Sequence, residues 1–175
     1  MTIIFTIITF IIEWYLCKWV GNKLNFRQPI TVKNTFVALV TGILSFGVGL
    51  LAILPTTSNS THPNIFTATL KTNLGFLIVI SSIIIGPILE ELLFQGAIQK
   101  GFFKKLNPWF SIVLTAVIFA ACHNIAWNLK FLSKVIAGVL YGYTYQKTND
   151  IKMAVLSHGI NNLIVTILLY IQVFS

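Results

Sequence analysis

Six apolar runs follow one another along this 175-residue chain, each close to the length of a bilayer crossing. They cover residues 3–20, 35–54, 73–101, 109–127, 131–145 and 151–174. A helix needs about 20 apolar residues to cross a hydrocarbon core about 30 Å thick. Only 9% of the residues are charged and the mean hydropathy is +0.86, whereas a soluble domain carries about a quarter charged residues. The bilayer is therefore the expected solvent. The expected fold is all-α, a polytopic membrane bundle of about six transmembrane helices. One integral membrane domain accounts for the length, with residues 1–72 as a two-helix region plus polar loop and residues 73–175 as a helix bundle. No internal repeat or low-complexity tract interrupts it.

Charge placement sets an orientation. The connections after the first, third and fifth runs hold Lys18, Lys23, Arg27, Lys33, Lys100, Lys104, Lys105, Lys147 and Lys152. The other side holds Lys71, Lys130 and Lys134, nine against three, so the positive-inside rule places both termini outside a cell membrane. The net charge of +8 is scattered at segment ends rather than gathered in a patch. It reads as topology and headgroup contact, with no nucleic-acid partner. The first run lacks a basic start and a small-residue cleavage site, so a retained helix is expected. Glu13, among Trp14, Tyr15, Lys18 and Trp19, reads as an interfacial anchor with a Glu13–Lys18 contact. Cys17 and Cys122 read as small buried hydrophobes, neither a disulfide nor a metal site. Residues 56–69 read as an exposed polar loop carrying a solvated His62.

Half of the four acidic residues, Glu90 and Glu91, stand side by side within the third run. A charge in hydrocarbon costs about 2.5–3.5 kcal/mol on insertion scales, so ionisable residues there are functional by default. Gly86-Pro87 just before them is a natural kink or break. A fresh half-helix starting there would turn its positive end toward the carboxylates. His123 lies in the fourth run and His158 in the sixth, with Asn162 one turn further on the same face. Counted at 1.5 Å per residue, these groups avoid the membrane edges without sharing one depth. Gly138 and Gly142 share a face and permit close helix approach.

Elimination narrows the chemistry. Gly-x-Ser is absent, the one aspartate, Asp150, lies in a connection, and His-Glu-x-x-His does not occur. Cys122 and His123 are consecutive and do not face each other on a helix. A glutamate acting as general base on water remains, with a histidine holding the water and a neutral His and Asn stabilising the oxyanion. A buried polar network that only ties helices together is the structural alternative. A zinc site built from Glu90, His123 and His158 is another, since His₂Glu sets occur in catalytic zinc sites.

Glu90-Glu91-x-x-x-Gln95, Phe119-x-x-x-His123 and His158-x-x-x-Asn162, in that order and each in its own apolar run, resemble the motifs of the CPBP (CAAX protease and bacteriocin-processing, or Abi) family. These are intramembrane glutamic endopeptidases, and the resemblance covers residues 74–169. It implies a catalytic helix bundle over residues 73–175 that needs no cofactor or metal. Glu90 would activate water with His123 beside it, and His158 and Asn162 would form the oxyanion hole. Glu91 would be a supporting carboxylate. The family usually carries arginine where Gln95 stands, and a neutral amide cannot balance a carboxylate as a guanidinium does. The implied substrates are peptides or membrane-anchored proteins. The short length and the Ile, Phe, Asn and Lys content suggest a bacterial member. That points toward bacteriocin or peptide maturation or self-immunity. A degenerate first motif leaves a non-catalytic membrane scaffold, regulator or immunity protein as an alternative.

Overall fold

The computed structural model describes residues 2–24, 26–53, 65–123 and 126–175. Among them the chain forms helices and no strand. The helices are α1 (Thr2–Trp19), α2 (Val32–Ile53), the short α3 (Ile65–Leu70), α4 (Gly75–Phe102), α5 (Pro108–His123), α6 (Leu129–Thr148) and α7 (Ile151–Phe174). Every expected apolar run has its helix, giving the all-α membrane bundle. By length and apolarity, three of the helices can cross a membrane: α4, α7 and residues Val32–Ala52 of α2. Large apolar side chains such as Phe36, Phe76, Trp109 and Leu168 point outward, as expected where lipid rather than water is the surroundings.

Local chemistry explains the ends. Asn107 accepts the Trp109 N–H and Pro108 opens α5, where a missing N–H costs nothing. Asn128 caps α6 by accepting from Phe131 N–H. Asn149 then takes a left-handed conformation (φ 52°) and ends α6, while the Asp150 carboxylate accepts the Lys152 N–H and starts α7. This two-residue corner folds α7 back beside α6. α2 packs against both, and α6 also packs along α5. Gly138 makes the last contact possible, because a Cβ there would lie 3.0 Å from the Ala116 Cα.

Four expectations need correction. The helix does not break at Gly86-Pro87. Instead α4 is continuous and widens into π-helical turns over Ser81–Ile85 and Leu92–Phe102. Gly86 N–H reaches back five residues to Ser81 O, so no half-helix begins at Pro87 to turn its positive end toward the glutamates. Glu13 is buried, with no ion pair among the described residues, and Lys18 lies over the Trp14 and Tyr15 rings. Cys17 is buried and donates to Leu92 O, whereas Cys122 is exposed on the outside of α5. Residues 65–69, expected as loop, are helical, while Pro55 and His62 lie outside the described residues.

Candidate active site

The π-turn before Pro87 determines how α7 meets α4. In an α-helix Ser82 O would accept from Gly86 N–H, but that donor goes to Ser81 O. The next donor in the π register would be residue 87, a proline without an N–H. Ser82 O is thus left without a main-chain donor, and Asn162 Nδ2 donates to it at 2.9 Å. Asn162 Oδ1 in turn accepts from Asn161 Nδ2 at 2.9 Å. One turn earlier, Gly159 lets α7 approach so closely that a Cβ would lie 3.0 Å from Ile83 O. The bulge and α7 lock together there and carry His158 up to the two glutamates.

Glu90, His123 and His158 converge despite their different sequence depths. Glu90 Oε2 lies 3.3 Å from His123 Nε2 and 3.9 Å from His158 Nε2. Glu91 Oε1 lies 2.9 Å from His158 Nδ1. Glu91 is fully buried, while the Glu90 side chain remains 34% exposed. The inner carboxylate therefore serves the histidine, and the outer one can meet a ligand.

Hydrogen-bond partners constrain the protons. His123 Nδ1 lies 2.8 Å from Phe119 O, an atom that only accepts, so Nδ1 carries hydrogen. Its Nε2 faces Glu90 Oε2 at 3.3 Å, a contact without hydrogen-bond geometry. At His158 the Glu91 contact engages Nδ1, and Nε2 points toward Glu90. A hydrogen on Nε2 requires one further proton on the Glu91–His158 pair, on either partner. The two imidazoles thus flank one oxygen of Glu90 with their Nε2 atoms, His123 at 3.3 Å and His158 at 3.9 Å.

Residues mostly absent from the motifs hold this arrangement, with the motif residue Phe119 among them. Tyr141 stacks on the His158 ring with centroids 4.5 Å apart and planes 12° apart. Its hydroxyl pairs with Ser45 Oγ of α2 at 2.8 Å. Phe119 meets His158 edge-on and also covers His123. Thr41 of α2 bonds both Thr144 and Ser157, tying α2 to α6 and α7 just behind His158. Tyr141 had a signal in the sequence, since it lies one turn past Gly138 on the close-packed face. Ser45 had none, because only the tertiary fold brings α2 there. Gln95 is wholly buried beside Glu91, but no hydrogen bond of standard geometry joins them, and neither of its amide atoms finds a partner among the described residues. The side chain that does meet Glu91 is His158, through Nδ1 at 2.9 Å.

A cavity of about 590 Å³ opens beside the site between α2, α6 and α7, and His123, Lys134 and Asn161 line it. No group of three His, Cys, Asp or Glu among the described residues is disposed to hold a metal ion.

Comparison with known proteins bears on this geometry. The family described as Type II CAAX prenyl endopeptidase Rce1-like matches residues 72–164, just over half of the chain and all three motifs. A Bacillus subtilis (strain 168) protein named "Putative membrane peptidase YdiL" is 33% identical over 93 residues, which are 53% of this chain and 37% of that protein. The chain thus spans little more than a third of that relative's length. No solved structure matches it.

Proposed function

The chain belongs to the Rce1-like family of type II CAAX prenyl endopeptidases, and from that membership we propose that it is an intramembrane peptidase in which Glu90 activates water. The supporting observation is the placement of both histidine Nε2 atoms around one oxygen of Glu90. In this reading Glu90 takes a proton from a water held between it and His123. The hydroxide adds to the scissile carbonyl, and His158 Nε2–H donates to the oxyanion. The proton gained by the Glu90–His123 pair then passes to the leaving amine as the C–N bond breaks. Glu91 and Tyr141 keep the His158 ring in register. Asn162, with one amide hydrogen engaged by Ser82 O, supports the oxyanion side by holding α7 against the bulge and by fixing Asn161.

The proposed setting is a bacterial cell membrane, with both termini outside and peptides or membrane-anchored proteins as substrates. Peptide or bacteriocin maturation or self-immunity would be the purpose. Glu90→Gln keeps the size and removes the base, so cleavage should fall by about 10²–10⁴-fold. Comparing the secreted and membrane peptides of wild-type and Glu90→Gln strains tests this. Identical peptide sets, together with an equal rate by purified protein on any substrate found, would refute it. The unpartnered buried amide of Gln95 favours one second reading, a non-catalytic regulator or immunity protein. In that case the Glu90→Gln and His123→Ala variants would rescue a deletion phenotype fully.

A further inference from the structure

A buried polar stripe runs down α4 from Glu91, and the hydrolytic chemistry does not use it. Glu91, Gln95 and Gln99 follow one another at every fourth residue and are all buried, so they share one helix face. Ser111 and Thr115 of α5, spaced alike, are buried as well. Ser111 Oγ donates to Gln99 O at 2.9 Å, and Phe119 packs on Phe94 with ring centroids 5.1 Å apart. The two helices therefore run antiparallel, and Thr115 stands between those contacts, at the level of the Gln95 turn. Glu91 Oε2, both amide atoms of Gln95, Gln99 Oε1 and Thr115 Oγ1 find no hydrogen-bond partner among the described residues. Only three other buried side-chain atoms there share that condition, and those on Glu90 and Asp150 have an ion-pair partner. Each buried polar group left unpaired costs about 1–3 kcal/mol, so five on one stripe call for a common partner. Across from them α6 places Gly142, where a Cβ would lie 2.6 Å from Gln99 Oε1 and 3.2 Å from Gln95 Oε1. Gln99 Nε2 donates to Gly142 O at 3.1 Å, which fixes its Oε1 as the free acceptor. Two acceptors so near one point can be bridged by a single molecule with two O–H donors. At the C-terminal end of α4 the stripe reaches a cavity of about 270 Å³, lined by Gln99, Ser111, Asn22, Lys100 and Lys104 among others.

We propose that Gln95, Gln99 and Thr115 form a water-binding path that joins this cavity to Glu91. One water donates to the amide oxygens of Gln95 and Gln99. Another lies among the Gln95 amide, Thr115 Oγ1 and Glu91 Oε2. Each then has the two to four partners that a buried water takes. Glu91 is fully buried, so the path gives it a contact with water separate from the exposed side of Glu90. The further proton that puts a hydrogen on His158 Nε2 can reach the Glu91–His158 pair by this route without crossing Glu90. The path stands on its own polar atoms, whatever reaction Glu90 performs.

Pulsed radiolysis of the full chain in detergent micelles tests this. A buried side chain is oxidised only where a bound water yields the radical beside it, and mass spectrometry reads the position. Ile112 is the reporter, being fully buried with its Cγ2 3.2 Å from the place of a Gly142 Cβ. Leu92, equally buried within an apolar cluster, is the control. Ile112 should be labelled well above Leu92, and brief mixing with heavy-oxygen water should put heavy oxygen into that label. Thr115→Val and Gln95→Met remove partners at similar size and should lower the Ile112 label, and Gly142→Ala should abolish it by filling the space. Gln99→Leu closes the end at the cavity and should delay heavy-oxygen uptake or remove the label. Labelling of Ile112 no stronger than that of Leu92 in the wild-type chain overturns the proposal, whether or not the variants fold. So does uptake at wild-type speed in Gln99→Leu, which would put the entry elsewhere. A thermal midpoint raised by sodium over choline at equal ionic strength also overturns it, by marking a cation in the place given to water.

Discussion

The bond between Asn162 and Ser82 O allows a quantitative test of how Pro87 shapes α4. Replacing Asn162 by Leu keeps the branching at Cγ, at larger volume, but removes the donor at 2.9 Å, and strands a carbonyl that the π-turn and Pro87 have already deprived of main-chain partners. It also takes an acceptor from Asn161 Nδ2. Polar side-chain bonds between membrane helices average about 0.6 kcal/mol and reach about 1.7. Two bonds lost around a carbonyl with no alternative place this case near the top, at about 1.5 kcal/mol. Pro87→Ala returns an N–H to the helix. It can donate to Ser82 O in the π register, or let the turn relax so that Gly86 N–H does. In that background Asn162→Leu should cost only about 0.5 kcal/mol, a coupling of about 1 kcal/mol. Reversible unfolding in mixed micelles, followed by circular dichroism, measures all four corners of the cycle. If the two substitutions add to within about 0.3 kcal/mol, Asn162 does not stand in for the missing donor, and the account of the bulge is wrong.

Five further perturbations test the site and the packing around it. Tyr141→Phe keeps the ring on His158 but strands Ser45 Oγ, so it should cost about 1–2 kcal/mol of stability with cleavage nearly unchanged. Tyr141→Leu removes the stack and should lower kcat more than it raises KM, measured on any substrate that Glu90→Gln identifies. Gly138→Ala forces a Cβ against the α5 backbone and should cost about 1–3 kcal/mol in a denaturation midpoint. Gly47→Ala, with nothing within 4 Å of its Cβ, should be neutral or stabilising by up to about 1 kcal/mol. Prolonged treatment with a zinc chelator should leave the cleavage rate unchanged, and parallel loss of activity and stoichiometric zinc would shift the assignment to a metallopeptidase.

What the sequence made legible follows from how local each signal is. The helix starts at Pro108 and Ile151 depend on side chains within three residues and fall within a residue of the expected runs, whereas α6 continues to Thr148, past the expected end at residue 145. The intramembrane carboxylates and histidines stood out because burying a charge costs so much that few occur without purpose. The π-turns were not legible. Gly86-Pro87 is compatible with a break, a kink or a bulge, and contacts with α7 decide which one forms. Glu13 was read at the membrane surface because its neighbours are aromatic and basic, yet the packing of α1 on α4 turns it inward. Lys134 was counted as a topology charge, although it lies inside an apolar run where the same cost argument applied to Glu90 holds.

Adjacency of Glu90 and Glu91 presents a geometric puzzle, because consecutive residues on a helix point about 100° apart and do not share a face. The structure resolves it through the shape of the imidazole. His158 enters between the two directions with its ring edge toward α4, so that Nδ1 meets Glu91 at 2.9 Å while Nε2 points at Glu90 from 3.9 Å. A single five-membered ring thus bridges two side chains that cannot touch each other's partners directly. In the proposed mechanism the longer separation has a use, since it exceeds hydrogen-bond length and leaves His158 Nε2 free to donate to an oxygen arriving beside Glu90. Exchanging the pair's roles would fail on exposure alone: Glu91 is sealed in the bundle and Glu90 is a third open. Consequently Glu91→Gln and Glu90→Gln should differ in kind. The first can still donate an amide hydrogen to His158 Nδ1 and keep the ring in its Nε2–H form, so part of the cleavage rate should survive. The second leaves no base at all. Equal loss in both variants would mean that the two carboxylates act as one unit, against the division of labour derived from their contacts.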